Sequence, residues 1–157
     1  MLPTTSLGRR GGVLAVAAAT LLMPAPAGAQ ASYGGHCDVG VKHRVARDVY
    51  PRTIYYSGGA RCIADGQPAV VFQDAQTFLY QLPNNNLVDR GLRVREYTDW
   101  SISQGAYPGA ETGQRYRLVL NVELQTPDGS PWAEVGSDDC EGDGTPVVRC
   151  YVSKTCG

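Results

Sequence analysis

The acidic stretch around residue 140 has the spacing most typical of a metal-binding loop in this chain. Asp139, Glu141 and Asp143 occupy alternate positions and Gly144 follows them, as in the opening of an EF-hand calcium loop. The last position of such a loop needs a bidentate glutamate, and this chain has Cys150 there. The three carboxylates are therefore a candidate calcium site, although a solvated acidic turn is the favoured interpretation. No other cofactor is expected.

A second group of reactive residue types comes earlier in the chain and consists of His36, Cys37, Asp38 and His43. Cysteine–histidine catalysis needs a free thiolate close to its base, and adjacent residues do not aim their side chains at each other. A zinc site would need carboxylates from elsewhere, because the chain has two histidines in all. This cluster therefore favours neither a nucleophile nor a metal site.

Motifs of common hydrolases and nucleotide-binding enzymes are absent from the sequence. It has no Gly-x-Ser-x-Gly elbow, no Walker loop and no His-Glu-x-x-His. Glycoside hydrolysis needs two carboxylates at a defined separation, and Glu96, Asp99, Glu111 and Glu123 are available, but the sequence does not place any two of them together. A protein without catalytic activity is therefore favoured over a small secreted hydrolase.

The aromatic segment at residues 96–113 is the preferred binding site. It has little periodicity and is interpreted as one long loop, and loops on a rigid β scaffold commonly carry binding residues. Tyrosine and tryptophan combine a large apolar area with a polar tip, which suits protein contacts or stacking on sugars. The candidate binding residues are Tyr97, Trp100 and Tyr107, with Arg93 and Arg95 beside them.

The five cysteines predict two disulfides and one remaining thiol. Residues 150–156 are interpreted as an extended strand, which would separate Cys150 from Cys156 by about 20 Å, whereas a disulfide needs Cα atoms within about 7 Å. The glycine-containing loop between Cys140 and Cys150 can double back. We therefore predict the disulfides Cys140–Cys150 and Cys37–Cys62, with Cys156 as the free or intermolecular thiol.

Residues 1–29 have the pattern of a secretory signal peptide. Arg9 and Arg10 precede an apolar stretch at 13–23, and small residues end at Ala29. The apolar stretch is too short to span a bilayer, which needs about 20 residues. We therefore expect a secreted mature chain, residues 30–157, which has the length of one domain and no membrane span.

The charge of the chain argues against nucleic acid as a partner. Its formal net charge is −1, and it becomes more negative when the two arginines of the leader are removed. Proteins that bind nucleic acid neutralise phosphates with a basic surface. The expected partner is therefore an extracellular protein or a carbohydrate.

The clearest secondary structure is a predicted β-hairpin at residues 115–135. Apolar residues alternate with polar ones, as in a strand with one buried face, and Val119 alone breaks the pattern. A turn cluster at 126–131 contains Pro127 and Gly129, and residues 132–135 would return as the second strand. The apolar face would carry Tyr116, Leu118, Leu120, Val122 and Leu124.

Two other segments do not distinguish a helix from a strand. Residues 41–50 fit a helical stripe or a strand. Residues 69–82 also fit either, and a strand with its partner at 87–95 is preferred. Residues 53–56 are β-branched and aromatic, and they predict a strand that ends at the glycine pair, with 60–63 closing a hairpin.

Together these elements predict an all-β fold, a small disulfide-stapled immunoglobulin-like β-sandwich. A small β-barrel, or a sandwich with one short helix at 69–82, is the alternative. The leading functional hypothesis is a secreted, non-catalytic binding or structural module of unknown ligand. A secreted inhibitor or toxin-like effector acting through residues 96–113 is the second, and a small secreted hydrolase is the third.

Overall fold

The computed structural model describes residues 31–47 and 51–156. Within these ranges the chain contains strands and no helix, and the strands form two sheets in a sandwich-like arrangement. The predicted all-β sandwich is confirmed, the sheets do not close into a barrel, and residues 69–82 contain no helix. The predicted signal peptide lies outside the described residues.

Ten strands make up the described part of the chain. In order they are β1 (His36–Ala46), β2 (Thr53–Ala64), β3 (Gln67–Pro68), β4 (Val71–Gln81), β5 (Asn86–Arg90), β6 (Val94–Thr98), β7 (Ser103–Tyr107), β8 (Tyr116–Gln125), β9 (Cys140–Glu141) and β10 (Val147–Cys156). No helix that could cross a membrane occurs among these residues.

The larger sheet has six strands in the order β5-β4-β8-β10-β9, and β6 also pairs with β4. All of its pairs are antiparallel, and the central pair places Phe72 opposite Gln125 and Gln81 opposite Tyr116. Side chains alternate between the two faces, so the odd-numbered residues of β4 face the other sheet. Five of these six inward residues are buried, and Gln81 at the end of the strand is half-buried. The buried residues are Val71, Gln73, Ala75, Thr77 and Leu79.

The smaller sheet has four strands, with β2 at its centre. The strand β1 pairs along the whole of one edge, from His36 opposite Ile63 to Ala46 opposite Thr53. The other edge of β2 pairs first with β7 and then with β3. Residues 41–46, which fitted either a helix or a strand, are therefore strand.

Two predicted hairpins are wrong. The strand β2 continues through Gly58 and Gly59, because β1 and β7 supply partners on both of its edges there. Residues 132–135 do not return along β8, since the two partners of β8 are β4 and β10. Trp132 instead forms a parallel β-bridge with Tyr33, and the backbone N–H of Trp132 donates to the Thr145 carbonyl at 2.9 Å.

The chain crosses from the larger sheet to the smaller one between β6 and β7. Buried polar side chains hold this crossing. The Gln73 amide donates to the Thr98 carbonyl at 2.9 Å, and the Ser103 hydroxyl accepts from the Thr77 N–H at 2.9 Å. A Cβ on Gly91 would lie 2.1 Å from the Thr77 hydroxyl, so this close approach requires glycine.

Two apolar clusters fill the space between the sheets. The larger one surrounds the buried Trp132 and includes both disulfides, Val71 and Leu124. The smaller one lies at the other end of the sandwich and includes Cys156, with Ile54, Tyr56, Leu79, Tyr116 and Leu118. Trp132 is therefore a core residue.

The disulfides are Cys37–Cys62 and Cys140–Cys150, which are the pairings expected from the sequence. Each joins residues that are directly opposite in neighbouring antiparallel strands, so each lies within one sheet. Antibody domains instead carry a disulfide between their sheets. The immunoglobulin-like topology stays a prediction.

Candidate functional site

The predicted aromatic site at residues 96–113 is not one loop. It contains the end of β6 and the whole of β7, which belong to different sheets. Tyr97 therefore lies on the outer face of the larger sheet, and Trp100 lies beside the smaller one, bridging to Arg61. Tyr107 is half-buried and packs at 5.9 Å from the Tyr116 ring between the sheets. The structure does not bring the three aromatic side chains together.

The two predicted binding arginines lie near Tyr97, and both form salt bridges with the Asp74 carboxylate. Arg93 donates two hydrogen bonds to the Asp74 carboxylate at 2.7 and 2.6 Å, and Arg95 lies 3.6 Å from the same group. The Arg93 hydrogen bond holds the pKa of the Asp74 carboxyl below its ordinary value. Arg95 also lies 5.9 Å from the centre of the Phe72 ring, which contacts Tyr97 edge-on. The charged groups of Arg93, Arg95 and Asp74 therefore have partners within this face of the sheet.

A shallow groove of about 560 Å³ crosses the outer face of the larger sheet. Four of its charged side chains form two salt bridges: Arg93 binds Asp74, and Arg149 lies 3.2 Å from Glu123. We call it the acidic groove. Its charged lining consists of Asp74, Arg93, Glu123, Asp139, Glu141 and Arg149.

The candidate calcium ligands are not assembled into a site. Asp139 and Glu141 line the acidic groove, and Asp143 is absent from its lining. Within residues 31–47 and 51–156, no three His, Cys, Asp or Glu side chains are placed to hold a metal ion. The reason is local, because Cys140 is bonded to Cys150 and β9 pairs with β10 here, so the stretch forms a strand edge instead of wrapping around an ion.

The outer face of the smaller sheet carries a different kind of surface. Side chains are missing from its centre, where Gly40 of β1 lies directly opposite Gly59 of β2. The next outward pair on the same two strands is Lys42 and Ser57. Two adjoining hollows of about 380 and 530 Å³ lie on this floor and share Lys42, Ser57 and Ile102. We call this surface the glycine platform.

Large apolar side chains stand exposed around the glycine platform. Trp100 is 62% exposed, Ile102 is 41% exposed and Tyr55 is 48% exposed. The backbone that carries Trp100 is held in place, because Ser101 N–H donates to the Ala60 carbonyl at 2.9 Å and Trp100 N–H donates to the Thr98 hydroxyl at 3.2 Å. Trp100 is therefore an exposed aromatic ring on a fixed backbone.

The charged residues of the glycine platform are mainly basic. Lys42 and Arg44 lie along β1 on one side of the floor, and Arg61 lies at its end beside Trp100. Asp38 is the one acidic residue that lines either hollow. The chain as a whole is slightly acidic, so positive charge is concentrated on this face.

The two glycines of the floor differ in what they require. A Cβ on Gly59 would lie 2.0 Å from the Ser101 carbonyl oxygen, so glycine lets the Trp100 segment pack against β2. A Cβ on Gly40 would meet none of the described atoms within 4 Å. Glycine weakens a strand and often marks a place where a ligand approaches the backbone. Packing therefore explains why residue 59 is a glycine, but it does not explain why residue 40 is one.

Sequence reasoning selected Trp100 and missed the rest of the glycine platform. Gly40, Lys42 and Arg44 alternate with valines in a way that marks one outward face, and that signal was readable as a strand. Gly59 was interpreted as part of a turn. Its position on the same face as Gly40 depends on the pairing between β1 and β2, which the composition of neither strand reveals.

The histidine–cysteine cluster does not form a reactive site. Cys37 is bonded to Cys62 and is fully buried, so it carries no thiolate. His43 faces the interior, where burial, and to a smaller extent the charge of Lys154, lower its pKa. His36 and Asp38 lie on the outer face of β1 and alternate with Cys37, as strand geometry requires.

Cys156 is the free thiol among the described residues, and it is buried. Burial raises its pKa, so less thiolate is present at neutral pH. We expect iodoacetamide to alkylate Cys156 at least about tenfold more slowly in the native protein than in urea. Intact mass measured over time checks this. Equal rates in the two conditions, or a disulfide-linked dimer, would contradict the buried position.

No family model matches this chain, and neither a curated protein nor a solved structure matches it. Its own surfaces are therefore the basis for assigning a function.

Proposed function

We propose that this chain is a secreted, non-catalytic binding module that holds its ligand on the glycine platform. One observation carries the proposal: Trp100, Ile102 and Tyr55 stand exposed around a floor that has no side chains. Exposed aromatic residues on a rigid scaffold are typical of surfaces that stack on sugars or anchor protein partners.

Secretion is supported by two independent features. Residues 1–29 have the pattern of a signal peptide, and two disulfides form within the described fold. Disulfides persist in oxidising compartments and are rare in the cytosol.

A non-catalytic role is supported by the pairing of two of the four carboxylates that line the acidic groove. In the acidic groove, Asp74 and Glu123 are each paired with an arginine. A general acid or base needs a carboxyl group that is free to exchange a proton with substrate. The hypotheses of an inhibitor acting through residues 96–113 and of a small hydrolase stay predictions.

The test of this proposal is the Trp100→Ala variant against a panel of soluble neutral polysaccharides, acidic polysaccharides and extended peptides. We expect affinity for any bound member to fall by about tenfold or more, as for a central aromatic contact. Affinity electrophoresis or calorimetry measures it.

Tyr97→Ala is the matched control. Tyr97 is 65% exposed, similar to Trp100, but it lies on the opposite sheet. It should leave binding unchanged. A ligand whose affinity falls with Tyr97→Ala and survives Trp100→Ala would place the site on the larger sheet and overturn the proposal, as would a panel with no bound member.

A further inference from the structure

We infer that the ligand of the glycine platform is a carboxylated, acidic polysaccharide. This inference rests on the proposed function and narrows it to one chemical class. Its basis is the combination of an exposed indole ring, an open backbone position at Gly40 and three basic side chains on one face of the smaller sheet.

The basic residues supply complementarity to a polyanion. Lys42 and Arg44 are two residues apart on β1 and project from the same face, about 7 Å from each other along the strand. Arg61 lies beyond the floor, next to Trp100. Arginine binds planar carboxylates through two parallel hydrogen bonds. A chain with regularly spaced carboxylates that runs along β1 and β2 can therefore contact all three.

The aromatic and glycine residues favour a sugar over a peptide. A peptide that binds a sheet usually adds a strand at a free edge, and β1 is an edge strand of this sheet. Gly40 and Trp100 instead present the face of the sheet, where β1 and β7 pair with both edges of β2. A peptide lying on the face would leave its own backbone groups without sheet partners. A sugar ring needs only side chains, and its apolar face can stack on Trp100.

Gly40 supplies room for such a ring. Its backbone has no positive φ, so any residue can adopt its conformation, and its side-chain position is empty among the described atoms. Valine would suit a strand better than glycine. The inference gives Gly40 a role, which is to let the sugar approach the backbone between Lys42 and Trp100.

Trp100 is a built-in reporter for the experiment. The chain has two tryptophans, and the other, Trp132, is fully buried, so a ligand on the glycine platform should change the emission of Trp100 alone. The full mature chain is titrated with three polymers. Polygalacturonate has sugar and charge, its methyl ester has the same sugar without charge, and polyglutamate has charge without sugar.

We expect polygalacturonate to bind about tenfold or more tightly than either of the other two polymers at low salt, with the preference falling as salt rises. Equal binding of the methyl ester would overturn the acidic class and leave the proposed function standing. Equal or tighter binding of polyglutamate would assign the surface to an acidic peptide. No binding of any polymer would overturn this inference, and the wider panel then decides the proposed function separately.

Two variants tie the binding to the platform. Gly40→Val should abolish the tryptophan response without lowering the urea midpoint, and Gly34→Val is its control because that glycine is also surrounded by open space. Lys42→Glu with Arg44→Glu should weaken polygalacturonate binding by about tenfold or more. Arg115→Glu, at an exposed residue preceding β8, should have little effect. Full binding by Gly40→Val, or equal losses in the charge variants and the control, would overturn the inference.

Discussion

Reduction of both disulfides should lower the free energy of unfolding by about 6 kcal/mol, which is a large share of the 5–15 kcal/mol typical of a domain. Cys37–Cys62 spans 25 residues and Cys140–Cys150 spans 10. Loop-closure entropy assigns about 3.5 kcal/mol to the first and about 2.7 kcal/mol to the second. Urea denaturation followed by circular dichroism, with and without reductant, measures the total.

Double alanine variants separate the two contributions. Removing the Cys37–Cys62 bond should destabilise the protein more than removing Cys140–Cys150, because its loop is longer. Both bonds lie in the same buried cluster, so the two losses should not add exactly to the effect of full reduction. An unchanged urea midpoint after complete reduction would contradict the role assigned to these bonds.

Trp132→Ala should lower the free energy of unfolding by about 3–5 kcal/mol. Trp132 has no exposed surface, and its ring meets the Tyr33 ring edge-on at 4.9 Å. Its backbone also accepts a hydrogen bond from Gly144 N–H at 2.8 Å, so it ties the 131–136 segment to the loop before β10. Urea denaturation followed by circular dichroism measures the loss.

Two controls define the cause of this loss. Trp132→Phe should cost much less, because it keeps an aromatic ring and removes an indole N–H that has no hydrogen-bond partner among the described residues. Trp100→Ala should leave stability nearly unchanged, since that ring is mainly exposed. If Trp100→Ala and Trp132→Ala destabilise the protein equally, the burial assigned to the two rings is wrong.

Much of the fold was predictable from local patterns. The alternation along β8 was unambiguous, and its exception has a structural reason: Val119 faces outward opposite Phe78 and is nevertheless buried. Chain reach excluded a bond between Cys150 and Cys156, because β10 is extended between them. Both inferences needed only the geometry of a strand.

Pairings between distant segments were not predictable in the same way. The turn composition at 126–131 suggested a hairpin, but the strands that lie beside β8 come from residues 71–81 and 147–156. The glycine pair at 58–59 looked like a turn because glycine is common in turns. Its real environment is set by β1, β7 and the Ser101 carbonyl, which are all far from it in sequence.

The candidate site shows the same limit. The exposed aromatic character of Trp100 was visible in its local sequence, whereas its separation from Tyr97 was not. The chain changes sheets between them, and buried contacts such as Thr77 with Ser103 determine where that change occurs. The platform therefore combines Trp100, found by residue type, and the outward residues of β1, found by alternation, with Gly59 and Arg61, whose place beside β1 depends on register.

The Cys37–Cys62 bond also helps to fix which residues of β1 and β2 face outward. Glycine-rich strands specify their alignment weakly, and a slip of one residue exchanges the two faces of a strand. Such a slip would turn Lys42 and Arg44 inward and the neighbouring valines outward. By joining directly opposed residues, the bond keeps Gly40 against Gly59. If the glycine platform is the binding face, as proposed, oxidation of this one pair of cysteines helps to fix its composition.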